Sequence, residues 1–126
     1  MTIIHPSGDC GNSPKNLFLE NLTIAFAKGD METILNSLTD DIRFISAGQQ
    51  TIDGKNALAQ ALDAMKSNKM AEMTIHHVIS HGKAGAVNGT ARYENGKTVM
   101  FCDVYEFGNA KGTSVKEITS YVVEVK

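Results

Sequence analysis

The chain changes its hydrophobic rhythm once, near residue 70, and that change constrains its fold more than any other feature. Before it, apolar residues recur at the three- and four-residue spacing of an amphipathic helix. From Met73 onward they alternate with polar residues, the two-residue period of a half-buried strand. Helices followed by a run of strands, without the strict alternation of the two, predict an α+β fold in which the helices pack on one face of an antiparallel sheet.

The helical part divides at its capping signals. Ser13-Pro14 opens the first helix, because serine accepts a hydrogen bond from a free first-turn amide and proline at the first position has no amide hydrogen to lose. The helix is expected to run to about Lys28, with Phe18, Leu22, Ala25 and Phe26 on its buried side and Gly29 ending it. Asp30 caps a second, shorter helix carrying Met31, Ile34, Leu35 and Leu38, which Thr39-Asp40-Asp41 closes. Ile42 to Ser46 is β-branched and aromatic enough for a short strand, stopped by Gly48. Asp53-Gly54 precedes a third helix with Leu58, Ala61, Leu62 and Met65 at helical spacing, ending at Ser67-Asn68-Lys69.

Four strands follow, at about 73–81, 86–94, 97–107 and 114–125, separated by turns rich in glycine and asparagine. The sharpest turn is Asn95-Gly96, read as a two-residue type I′ hairpin. That turn sets Glu94 opposite Lys97, Asn88 opposite Asp103 and Thr90 opposite Phe101, and residues directly opposed share a sheet face. Phe101, Asp103, Tyr105 and Phe107 then stand on one side of their strand with Asn88 and Thr90, while Cys102, Val104 and Glu106 stand on the other. The aromatic side is the better candidate for the face the helices cover. Residues 1–12, with Pro6, Gly8 and Gly11 and no periodicity, read as an irregular arm, which leaves 13–126 as one domain.

Composition narrows the partners. A net charge of −2, with 12 basic and 14 acidic residues, gives no electrostatic footprint for nucleic acid or an anionic membrane. No stretch approaches the length of a membrane span, and the first residues lack the basic and apolar regions of a signal peptide, so the expected compartment is the cytoplasm. The two cysteines, Cys10 and Cys102, are far apart and read as free thiols. No metal site is expected: His76 and His77 are adjacent on a strand and point to opposite faces, and His5, Asp9 and Cys10 lack ligand spacing.

The order helix, helix, short strand, helix, long meander resembles the nuclear transport factor 2-like superfamily, and more closely its SnoaL-like polyketide-cyclase branch. The likeness spans about Leu17 to Val125 and rests on Ala27-Lys28-Gly29-Asp30, Thr39-Asp40-Asp41, Ile52-Asp53-Gly54-Lys55 and Asp103-Val104-Tyr105-Glu106-Phe107. It implies a cone-shaped, barrel-like roll with one pocket for a small, largely apolar molecule. The superfamily holds isomerases, dehydratases, cyclases, epoxide hydrolases and non-catalytic adaptors, so the resemblance specifies a fold and leaves the reaction open.

Asp103 carries the chemical argument. A carboxylate among Phe101, Tyr105 and Phe107 is desolvated and its pKa rises, which suits either a general acid or an oxyanion donor near neutral pH. By resemblance it falls at the position of the protonated aspartate of ketosteroid isomerase. The positions that would hold that enzyme's base and its oxyanion tyrosine are here Ser46 and Leu22, so ketosteroid isomerisation itself is not expected. The aspartate–arginine–aspartate relay of the epoxide hydrolases could use Arg92 with Asp103 but finds no second carboxylate. His77 shares a strand side with Met73, Ile75 and Ile79; it either enters the pocket beside Asp103 or, if the strand is turned, meets solvent. Phe44 and Ser46 are expected at the pocket mouth, with Asn88, Phe101 and Tyr105 lining it and, by resemblance, Ser120 on the last strand. Two functions remain. One is a cofactor-free cyclase, dehydratase or isomerase acting on a carbonyl-bearing apolar molecule. The other is a binding or assembly module that dimerises through an outer sheet strip of Met100, Cys102 and Val104.

Overall fold

The computed structural model describes residues 1–126. Ten elements follow one another as β1 (Ile3–His5), α1 (Pro14–Lys28), α2 (Met31–Asn36), β2 (Leu38–Ser46), β3 (Gln50–Asp53), α3 (Lys55–Ala64), β4 (Met70–His81), β5 (Ala84–Tyr93), β6 (Thr98–Phe107) and β7 (Val115–Val125). The strands form one open seven-stranded sheet in the order β1-β4-β5-β6-β7-β2-β3. The fold is α+β: three helices pack on a mostly antiparallel sheet.

The capping chemistry works as read. Ser13 Oγ accepts the Asn16 amide at 3.2 Å, Pro14 takes the first helical position, and Gly29 closes α1 in the left-handed conformation. Asp30 caps α2 by accepting the Thr33 amide. Where backbone geometry is decided by neighbours a few residues away, the local sequence is sufficient.

Pairing over longer distances departs from the expectations. The arm is not wholly irregular: Ile3, Ile4 and His5 add a parallel edge strand to β4, opposite Glu72, Met73 and Thr74. β2 starts at Leu38, four residues before the expected strand, and runs parallel to β7, setting Phe44 beside Ile118 and Ser46 beside Ser120. β3 is an additional edge strand that returns against β2 after the Gly48 turn. With β1 parallel to β4, β2 parallel to β7 and both edges open, the sheet is a mixed, unclosed roll.

The helices divide the concave face between them. α1 approaches β4 and β5, and α3 approaches β2 and β3, so the helix backbones lie over the two flanks of the sheet. Two glycines of β5 mark close approaches: a Cβ on Gly85 would meet Leu19 of α1, and one on Gly89 would meet Thr74 O of the neighbouring strand and the Phe101 ring. Leu19, Leu22, Ile42, Val87, Phe107 and Ile118 belong to one buried core. Over the middle strands, β6 and β7, the helices leave a gap.

Candidate functional site

That gap is a chamber of about 200 Å³. Its walls are Phe26 and Ala27 of α1, Leu62 of α3, Phe44 of β2, Met70 and Met73 of β4, and the inner faces of β6 and β7. Alternation along β6 sends Val99, Phe101, Asp103 and Tyr105 inward, and Cys102 and Val104 to the outer face with the exposed Met100. β7 contributes Ile118, Ser120 and Val122. Among the residues lining the chamber, Asp103 alone carries a charge.

Asp103 lies opposite Ser120 in the β6–β7 ladder. By surface area it is half-buried, because the chamber itself admits a water-sized probe, yet its carboxyl lies deep among protein atoms and Oδ1 is sealed with no hydrogen-bond partner. The depth governs its ionisation. Burial raises the Asp103 pKa to about 6, with the Ser120 hydroxyl pulling it partly back. An unpaired buried carboxylate oxygen is costly, and proteins rarely retain one without a use for it.

The Tyr105 hydroxyl is already committed. Thr23 Oγ1 donates to Leu19 O at 2.9 Å, so in its 2.8 Å contact with Tyr105 it accepts, and the phenol proton points at α1. Burial, then the charge of Asp103, holds the Tyr105 pKa well above its usual value, so this ring is a neutral wall beside the carboxyl. Tyr93 is a more available phenol. It stands where the chamber opens outward, and burial raises its pKa too.

The chamber adjoins a cleft of about 710 Å³ between the C-terminal ends of α1 and α3, the start of β4 and the β5–β6 turn. Phe26, Ala27, Leu62, Met65, Met70 and Tyr93 border both spaces, so the cleft lies directly beside the chamber. The buried carboxyl belongs to the smaller of the two spaces.

Of the residues singled out from sequence, the structure brings Phe44, Phe101, Asp103, Tyr105 and Ser120 together in the chamber. Three others are placed elsewhere. Asn88 pairs with Cys102 on the outer face, because the β5–β6 loop has three residues, Glu94 to Gly96, rather than two. Only Gly96 there has a positive φ, so a type I′ turn is excluded, and every partner on β5 shifts by one. Val87, Gly89 and Ala91 take the inner positions expected of Asn88 and Thr90.

His77 is the second correction. β4 bulges between Ile75 and His77, which resets its alternation so that Met73, Ile75 and Val78 are buried while His77 and Ile79 turn out. The His77 side chain is 72% exposed and meets Asp9 of the arm at 3.3 Å. Ser46 is the third. It shares a face with Phe44 but lies beyond the chamber wall, where its hydroxyl contacts Gln49 at 3.3 Å. Arg92 also points away, pairing with Glu72. Thr23, Tyr93 and the methionines Met65, Met70 and Met73 line the chamber without having been singled out; helical spacing marked Met65 only as core, and Tyr93 was masked by the misread turn.

The SnoaL-like domain model matches residues 19–115. No curated protein matches the sequence. Among solved structures, an NTF2-like protein of unknown function from Cytophaga hutchinsonii is 26% identical over 86% of this chain and 99% of its own, with a TM-score of 0.68. An LEH-like epoxide hydrolase of M. tuberculosis is 21% identical over 86% and 82%, TM-score 0.72. A SnoaL-like polyketide cyclase from Shewanella denitrificans, so described provisionally, is 11% identical over 89% and 92%, TM-score 0.75. These last two likenesses are likenesses of fold.

Proposed function

The chain belongs to the SnoaL-like domain family, within the nuclear transport factor 2-like superfamily, and from that premise we propose that it binds a small apolar, carbonyl-bearing molecule in the chamber and moves a proton on it through Asp103. The observation that carries this reading is the sealed, unpartnered Oδ1 of Asp103 at the base of an otherwise uncharged chamber. With a pKa of about 6, Asp103 holds both protonation states near neutral pH, the condition under which one carboxyl can take a proton and return it.

In this mechanism the carboxylate removes a proton from the carbon beside the carbonyl, and the resulting carboxyl delivers it elsewhere on the same molecule. The outcome is an isomerisation, or a cyclisation or dehydration where the enolate attacks or expels a group. The Tyr93 phenol at the chamber opening is the donor available to the enolate oxygen, since the Ser120 hydroxyl is turned to Asp103. His77 has no part in it, and the reaction calls for no cofactor. Closure of an apolar ligand over Asp103 would desolvate it further and raise its pKa.

Two measurements test the reading. A carbon-detected titration of Asp103 should give a midpoint near 6 that rises when an apolar ketone binds. The protein should also accelerate exchange of the α-protons of 2-tetralone in D₂O, with Asp103→Asn about 100-fold slower. An ordinary midpoint near 3.9 together with unaffected exchange would remove the proton-transfer role.

A second reading, a binding module that dimerises through its sheet, is favoured by one observation. The outer face exposes Met100, Val104, Tyr121, Val123 and Val125, an apolar strip of the kind that marks an interaction surface. It is the reading left standing if Asp103 titrates normally and the protein sediments as a dimer.

A further inference from the structure

The chamber is too small to be the whole binding site. At about 200 Å³ it lies below the roughly 300–1,000 Å³ of most small-molecule pockets, and six of its residues also border the 710 Å³ cleft beside it. A ligand that outgrows the chamber has the cleft as the nearest space for its second end.

The cleft is lined by apolar and charged residues together. Lys28, Lys66 and Lys69 face two acids, Asp63 and Glu94, giving a local charge of +1 on a protein whose net charge is −2. Lys66 is already paired with Asp63 at 3.2 Å. Lys28 and Lys69 enter no ion pair, and neither does Glu94. Lys28 lies in the last turn of α1, where a cation also offsets the negative helix end, but Lys69 precedes β4 and has no such duty. Two free ammonium groups lining the cleft, with the apolar chamber beside it, match a molecule with an anionic head and an apolar tail.

We infer that the ligand is an amphipathic carboxylic acid, held with its carboxylate between Lys28 and Lys69 and its apolar end in the chamber. This deepens the proposed function and rests on the chamber being the binding site. It orients the molecule: the charged end stays in the cleft, away from Asp103, and the end that reacts is the buried one.

Methionine methyl NMR reads the pose directly. Met73 reports the chamber, Met31 the cleft, Met65 and Met70 their junction, and Met100 the outer face of the sheet, where no ligand should act. Sodium decanoate, methyl decanoate and 1-decanol are titrated below their aggregation limits. Decanoate should shift Met73 and Met31 and bind at least fivefold more tightly than the ester or the alcohol. In Lys28→Gln/Lys69→Gln that preference should vanish while ester binding is unchanged, and Glu94→Gln should strengthen decanoate binding alone. A purely structural role for Lys28 would alter stability and leave the acid-to-ester ratio intact.

Equal affinity for acid and ester, or a preference that survives in the double variant, overturns the inference while leaving the chamber reading in place. If the double variant does not fold, Lys69→Gln and Glu94→Gln carry the test, and an unchanged ratio in both overturns it. Neither probe shifting Met73 removes the chamber reading and this inference with it, and decanoate shifting Met100 alone shows surfactant-like surface binding and overturns the inference.

Discussion

The molecule buries two carboxyls, and they behave in opposite ways. Glu20 of α1 is 7% exposed beneath the arm, and Asp103 of β6 is sealed at the base of the chamber. Burial pushes both upward. At Glu20 it is outweighed: Cys10 Sγ donates to Oε2 at 3.0 Å, the Ser7 amide and hydroxyl both donate to Oε1 at 2.9 Å, and its pKa falls below the ordinary value. The cover over Glu20 is also thin, a single layer of arm. Asp103 lies deep, lacks donors to Oδ1, and its pKa rises to about 6. Depth and the supply of donors together separate the structural carboxyl from the chemical one. Glu20 clasps the arm, and Asp103 keeps a free hydrogen-bonding site for a ligand.

The contrast predicts mutations of opposite sign. Asp103→Asn should stabilise the protein at pH 8 by on the order of 3 kcal/mol, the difference between about 6 and the ordinary 3.8 at about 1.4 kcal/mol per unit. Because the folded-state pKa is raised, the associated stability is complete below about pH 4 and lost as pH rises through 6, so the gain should disappear at pH 4. Urea denaturation at both pH values checks it; equal stability of variant and wild type at pH 8 would break the comparison.

Glu20→Gln should destabilise at neutral pH by about 1–2 kcal/mol, since the amide accepts less strongly and its NH₂ group meets donors. Here the folded pKa is lowered, so the wild-type advantage holds above about 4.5 and fades as pH falls below it. Faster proteolysis within residues 1–12 would show the arm released, and a stability gain at pH 7 would contradict the clasp.

His77→Ala sharpens the comparison from its smallest end. Its contact with Asp9 is exposed, so the change should cost less than about 1 kcal/mol and leave ligand shifts at Met73 untouched. A large loss of ligand binding would return His77 to the chamber and undo the bulge argument.

The candidate site was legible along one strand and obscured across strands. Asp103 and Tyr105 could be placed inward because alternation within β6 survives any change of partner. Asn88 could not, because its face depended on whether the β5–β6 loop held two residues or three. The three-residue loop is held by Glu94 N donating to Lys69 O and by Asn95 Oδ1 accepting from Lys97 N, and the first of these reaches outside the hairpin. His77 was misplaced for a related reason: a bulge is one extra residue with no compositional mark, and it flips every later position of β4.

By itself the sequence determined the helix caps at Ser13, Asp30 and Gly29, the change from helical to strand periodicity, and the inward face of β6. Each of these depends on hydrogen bonds and side-chain directions within a few residues, where local chemistry has no competitor. The tertiary structure alone decided that β1 joins the sheet edge, that β2 runs parallel to β7, and that α1 and α3 stand on opposite flanks of the sheet. Those features come from contacts between residues tens of positions apart, whose strength depends on how the whole chain packs. The chamber is a product of that packing. It is the space two helices leave over β6 and β7, and a carboxyl whose face was readable from alternation acquires its unusual ionisation only because its depth there outweighs the one hydroxyl that reaches it.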